Sequence, residues 1–250
     1  MGQTTKVRKA AGEIRITSVP VIEELTRDDE RSEFLIGHEV VEPLTSSTSL
    51  SPPTILTQQS SNGQDSLIRA LDIGGSVAIL ILAMLPMFVV ALLVKISSLG
   101  TILYRQKRVG KNGRVFTLYK FRTMVNNAEE HTGPVWAAKK DSRVTPIGSI
   151  LRKTRLDELP QLFNVLRGDM SLVGPRPERP YFVERHKALQ GIRLAVKPGL
   201  TGLAQIRSFY NLKPEHKIRY DYLYIQKRSL LLNLYILLQT IPVILSKKGW

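Results

Sequence analysis

The 250-residue chain contains no cysteine. That absence excludes a disulfide framework, a thiolate nucleophile and any cysteine-ligated metal. Histidine is nearly absent as well: His38, His131, His186 and His216 are scattered without metal-ligand spacing and read as surface or structural residues. Acidic residues are scarce in one region only. Residues 1–66 carry 6 Lys/Arg against 10 Asp/Glu, whereas residues 67–250 carry 30 against 11, so the formal charge of +15 belongs to the second part. A surface of that sign suits nucleic acid, anionic lipid headgroups or phosphorylated small molecules. Residues 1–65 lack any sustained apolar period and are rich in Ser/Thr and polar runs, which predicts a disordered tail. No apolar stretch follows the basic residues Lys6 to Lys9, so the tail does not read as a secretory signal.

From Ile73 to Val94 the missing element is charge itself. The run IGGSVAILILAMLPMFVVALLV holds twenty-two residues without one, the length a helix needs to cross bilayer hydrocarbon. The expectation is a membrane-embedded helix over residues 66–96, kinked where Pro86 frees the carbonyl of Leu82. Arg69 precedes the run, and Lys95, Arg105, Lys107, Arg108 and Lys111 come after it. This bias favours a cytoplasmic C-terminal side. A bend back at Pro86 would put both ends there, so a re-entrant and a spanning helix both stand open.

Residues 97–250 predict a mainly helical α+β domain with one small β-hairpin. Residues 102–124, ILYRQKRVGKNGRVFTLYKFRTM, alternate around Asn112-Gly113, which marks a tight turn. The hairpin ends in Lys120-Phe121-Arg122, two cations about an aromatic that suit either a phosphate or a strand end near anionic lipid. Ile147, Ile150 and Leu151 mark a short amphipathic helix carrying Arg152, Lys153 and Arg155 toward the Asp157-Glu158 pair. Residues 181–193 read as helical and charged. Ser229 to Leu245 is apolar but only seventeen residues long and includes Asn233 and Pro242, which favours an interfacial or core-packing helix over a second span.

The densest chemistry lies in residues 154–180, TRLDELPQLFNVLRGDMSLVGPRPERP. Leu159, Leu162, Phe163 and Leu166 recur at helical spacing up to Gly168, which places Asp157 near an N-cap. There the helix dipole would keep the carboxylate ionised and favour a phosphate beside it. A structural cap is the plain alternative for an isolated Asp-Glu pair. Beyond the helix, Pro175 and Pro177 fix the backbone around Arg176, presenting its guanidinium for planar recognition.

These residues together resemble the bacterial sugar transferases, monotopic phosphoglycosyltransferases acting on a polyprenyl phosphate carrier. The resemblance covers roughly residues 66–248 and rests on LDELPQLFNVLRGDMSLVGPRPERP, LYRQKRVGKNGRVFTLYKFRTM, KPGLTGLAQI and the upstream membrane run. It implies that Asp157 is the nucleophile, that Glu158 completes a dyad at Mg2+, and that Arg176 helps hold the nucleotide. Lys120, Arg122, Arg155 and Asp169 match the same motifs as substrate-binding positions. Implied partners are a UDP-sugar donor, an undecaprenyl phosphate acceptor and membrane lipids, not nucleic acid, with a homodimer left open. The implied location is the bacterial inner membrane, catalytic domain toward the cytoplasm. The implied reaction is sugar-1-phosphate transfer with release of UMP, at the first membrane step of exopolysaccharide, capsule or other glycoconjugate synthesis. Two competing readings are a glycosyltransferase that moves only the sugar and a basic membrane-anchored binding module. The resemblance has departures: Leu85-Pro86 stands where relatives commonly have Ser-Pro, Asn233 stands where many relatives have an acidic residue, and the 65-residue tail has no counterpart in it.

Overall fold

The computed structural model describes residues 62–130, 133, 135, 141–207 and 214–246. All but the last residues of the expected N-terminal tail lie outside that set. Helix α1 (Asn62–Ser97) contains the whole charge-free run. It continues without interruption through Pro86, where a kink was expected. One narrow stripe of α1 is buried: Ile68, Asp72, Ser76, Ala83, Val90 and Val94, spaced by four or seven residues. Leu82, Met84, Leu85, Phe88 and Ile96 on the other sides are exposed. Only 11% of its most apolar stretch is buried, which is not how a soluble core helix sits.

Both ends of that stripe touch the same body. Near the N-terminal end, Arg69 donates to the carbonyls of Val165 (2.7 Å) and Leu166 (2.8 Å). Asp72 accepts from the Ser171 hydroxyl and the Leu172 N–H, each at 2.8 Å. Near the C-terminal end, Val90 and Val94 pack with Phe121 and Leu151.

Strands β1 (Leu103–Val109) and β2 (Val115–Phe121) form the expected antiparallel hairpin, with Val109 opposite Val115. Asn112 (φ 57°) and Gly113 (φ 76°) make its turn in left-handed backbone that Asn and Gly tolerate. Helix α2 (Pro146–Thr154) begins where the Thr145 hydroxyl accepts from the Gly148 N–H at 2.9 Å. Helix α3 (Gln161–Arg167) ends at Gly168, φ 90°.

The hairpin is not the only sheet. β3 (Ser171–Val173) and β4 (Gly199–Thr201) pair in parallel. Gly174, Gly199 and Gly202 permit this closeness: a Cβ on Gly199 would stand 2.0 Å from the Gly174 nitrogen, and one on Gly202 would stand 2.2 Å from the Gly174 oxygen. Residues 181–193 are not one helix. Helix α4 (Pro180–Arg185) stops early, and two 3-10 turns, Lys187–Leu189 and Gly191–Ala195, come after it.

The chain closes with α5 (Leu203–Arg207), α6 (Pro214–Lys227) and α7 (Leu230–Leu245). Ser229 caps α7 by accepting from the Leu232 N–H. Leu232, Asn233 and Ile236 of α7 are buried while Leu231, Leu238, Ile241 and Leu245 are exposed. A half-buried apolar helix of this kind fits the interfacial or core-packing expectation. The Tyr224 hydroxyl lies 3.0 Å from both the buried Asn233 Oδ1 and the Val173 carbonyl, and its single proton serves one of them at a time.

Candidate active site

Asp157 does not cap α3. It lies in a separate 3-10 turn, Leu156–Glu158, entered through Arg155 in left-handed backbone (φ 59°), and α3 begins only at Gln161 after Pro160. The apolar spacing is borne out only in part: Leu162 is fully buried and Leu159 and Leu166 are partly buried. Phe163 is exposed, whereas Asn164 is wholly buried. Its Oδ1 accepts from the Tyr119 N–H (3.1 Å) and its Nδ2 donates to the Thr117 carbonyl (2.8 Å). A buried amide thus bolts α3, and with it the preceding turn, to the edge of β2.

That turn faces a cavity of about 940 Å3, in the size range of small-molecule sites. Nine cationic side chains line it against six carboxylates. Asp157 and Glu158, adjacent in sequence, meet different surroundings on its wall. Glu158 accepts from Arg176 Nη2 at 2.6 Å and Nη1 at 3.4 Å, and Arg155 Nη1 stands 3.7 Å away. Burial would raise its pKa, but Arg176 and Arg155 hold it down to about 2. Asp157 is buried, and among the described residues its Oδ1 has no hydrogen-bond partner. Burial first, and then the Glu158 charge, push its carboxyl up to about 7. The expectation that a helix dipole keeps Asp157 ionised is therefore corrected. No helix begins there, and desolvation outweighs the surrounding cations.

The structure sorts the other expected site residues. Lys120 lines the cavity, 5.2 Å from the Tyr104 ring centroid. Burial, then the neighbouring Arg108, push it down to about 8 despite the pull of Asp157. Arg155 and Arg176 line the cavity and face Glu158. Arg122 also lines the cavity, but its guanidinium is spent on backbone: it donates to the carbonyls of Leu99 (2.8 Å), Ser98 (2.7 Å) and Val94 (3.3 Å) and to the Ser98 hydroxyl (2.8 Å). A helix end leaves such carbonyls without intrahelical partners, so the basic group expected at a phosphate instead closes the C-terminal end of α1. Asp169 comes directly after Gly168 in the turn beyond α3 and is not among the residues lining the cavity.

Sequence reasoning missed the frame that sets Arg176. Its carbonyl accepts from Arg193 Nη2 at 2.6 Å, and Arg193 Nε donates to buried Asp221 at 2.8 Å. Arg108 donates to the Pro177 carbonyl at 2.9 Å and pairs with Glu178 at 3.6 Å. The Pro-Arg-Pro loop is thus fixed by two arginines as well as its prolines. No single-segment signal links residues so far apart.

Among the described residues no three His, Asp or Glu side chains gather as metal ligands. This donor set still fits Mg2+, which commonly takes one or two carboxylates together with substrate phosphates. The unpartnered Asp157 oxygen is the best-placed protein donor, with Glu158 beside it.

Comparison with known proteins bears on this geometry. The sequence model of the bacterial sugar transferase family matches residues 63–247. Over 187 residues the chain is 43% identical to UDP-N-acetylgalactosamine-undecaprenyl-phosphate N-acetylgalactosaminephosphotransferase of Aeromonas hydrophila, covering 72% of this chain and 44% of that protein. It is 39% identical to the exopolysaccharide production protein ExoY of Sinorhizobium fredii, covering 72% of this chain and 86% of that protein. It is 43% identical to UDP-glucose:undecaprenyl-phosphate glucose-1-phosphate transferase of Klebsiella pneumoniae, covering 72% and 40%. The chain therefore spans less than half the length of the Aeromonas and Klebsiella relatives.

Proposed function

This chain belongs to the bacterial sugar transferase family, and from that premise we propose that it transfers a sugar-1-phosphate from a UDP-sugar to undecaprenyl phosphate. The observation that carries the assignment is the contrast within the dyad. Glu158 is held by two arginines, whereas Asp157 presents a buried oxygen without a partner to a strongly cationic cavity.

In the first step an Asp157 oxygen bonds to the donor phosphorus that carries the sugar, and the bond from that phosphorus to the bridging oxygen breaks. UMP leaves with the electron pair. In the second, an oxygen of the acceptor phosphate attacks the same phosphorus, and the Asp157 carboxylate is restored. The product is a polyprenyl diphosphate sugar. Asp157 must be ionised to attack, so the proton it holds near neutral pH has to leave first. Lys120, Arg155 and Arg176 place positive charge where a carboxylate approaching a diphosphate would otherwise be repelled. Mg2+, held by Asp157 and Glu158, would supply charge neutralisation at the diphosphate.

The acceptor dictates a membrane. With both ends of α1 docked on one body, α1 enters the bilayer from one face and does not cross it. We place that face on the cytoplasmic side of the inner membrane, where nucleotide sugars are made. The absence of native cysteine permits a direct test. Cysteines at exposed Ser66 and Leu99 label from the same side if α1 is embedded from one face, and labelling from opposite sides would overturn that topology. For the reaction, the nucleotide product decides. UMP from a UDP-sugar is expected, and UDP would show that only the sugar moves.

A further inference from the structure

Gln205 lies on the cavity wall, in α5, with Oε1 and Nε2 both shielded from solvent and neither hydrogen-bonded among the described residues. An amide in that condition forfeits both a donor and an acceptor, a cost native structures rarely leave standing without a reason. Its Oε1 rests against Gly202, where a Cβ would stand 2.8 Å away. Turning the amide toward the cavity therefore breaks no hydrogen bond.

The wall around it differs from the wall around Asp157. Phe182, Leu189, Ala204 and Ile218 line the same cavity. Phe182 and Leu189 belong to one apolar cluster, with Ile218 packed against it. Arg176 ties Glu158 to other residues of the wall: its side chain reaches Glu158, and its carbonyl meets Arg193, which in turn holds Asp221. A ligand with a phosphate near Asp157 and a flat, weakly polar group against the apolar cluster matches this layout.

We propose that Gln205 reads the pyrimidine edge of the donor nucleotide, its Oε1 accepting the uracil N3–H and its Nε2 donating to an adjacent uracil carbonyl. This rests on the uridine-nucleotide donor proposed above. Phe182, Leu189 and Ile218 form the apolar bed for the base, and the amide supplies the donor and acceptor that an imide edge requires. Gln205 is a specificity residue, remote from the reacting phosphorus.

The test compares UMP with N3-methyl-UMP, which cannot donate from N3, by calorimetry on the full chain in detergent with Mg2+. Wild type is expected to bind UMP about tenfold to a hundredfold more tightly than the methylated nucleotide. Gln205→Leu should weaken UMP to near the methylated level and leave little discrimination. Gln205→Glu, which keeps an acceptor but loses the donor, should retain part of the discrimination and serves if the leucine variant does not fold. Turnover of a UDP-sugar by Gln205→Glu should suffer in KM more than in kcat. Undiminished discrimination in either folded variant overturns the assignment of Gln205 while leaving the uridine donor intact. If wild type shows no preference for UMP over AMP, the uridine donor fails and this inference fails with it.

Discussion

Around Asp157 the cavity wall is built of charges answered by other charges, whereas Phe182, Leu189 and Ile218 give the same wall an apolar cluster and Gln205 gives it an amide. On the proposed reaction the two regions would sort a nucleotide sugar by chemistry. The charged region suits the diphosphate, which all nucleoside diphosphate sugars share. The apolar region suits the base, which differs between nucleotides. Electrostatic force is long-ranged and tolerant of small displacements, so it serves alignment and rate; a base edge is read only by donors and acceptors at contact distance.

The largest effect expected from breaking this division is at Asp157. Asp157→Asn should lower phospho-sugar transfer by about 10³-fold or more while leaving UMP affinity within severalfold, measured by product analysis and calorimetry on one preparation. If binding and turnover fell together, the two regions would not be separable. Glu158→Gln comes next, with a loss on the order of 10²-fold, because Arg176 and Arg155 lose the anion that positions them. The same change removes the like charge that helps to raise Asp157. Wild-type kcat/KM should therefore rise with pH through a midpoint near 7, and in Glu158→Gln that midpoint should move lower. An unmoved midpoint would separate Asp157 from the pH dependence.

A smaller effect concerns stability, and its sign is set by the raised pKa. Between the ordinary carboxylate value of 3.8 and about 7, folded Asp157 holds its proton more tightly than the unfolded chain does. Its contribution is therefore intact below the lower value and lost as pH rises through the upper one. Asp157→Asn should melt higher than wild type at about pH 8 and show no such advantage at about pH 4. Finally, Arg122→Ala should cost about 1–3 kcal/mol by removing the donors that close the end of α1, the buried Val94 carbonyl among their partners, read as a lower melting temperature in detergent, with KM for the UDP-sugar unchanged. A selective rise in KM would return Arg122 to the substrate.

Much of this was legible in the sequence where neighbours in the chain settle the outcome. The charge-free run gave α1, and Asn112-Gly113 gave the hairpin turn. The Asp157-Glu158 pair does face a basic cavity. What escaped depends on partners far apart in the chain. A guanidinium suits a phosphate and a helix-end carbonyl alike, so nothing local tells Arg122 apart from Lys120. Asn164 carries no local signal of burial because its partners, Thr117 and Tyr119, belong to another element. The three-residue strands β3 and β4 are too short to show alternation. Asp157 was misjudged for the same reason. Its titration is governed by burial, which only the assembled fold determines.

Arg122 also ties the membrane to the chemistry. By gripping carbonyls in the last turn of α1 and just beyond it from the end of the strand that carries Lys120, it would, on the proposed reaction, make α1 a height gauge for Asp157. The acceptor's phosphate is confined to the headgroup plane by its own hydrocarbon tail. A helix riding one turn too high, about 5.4 Å, would lift Asp157 beyond the reach of that phosphate. Bilayer thickness thereby becomes a variable of the reaction, and thinner or thicker vesicles should alter acceptor turnover without touching nucleotide affinity.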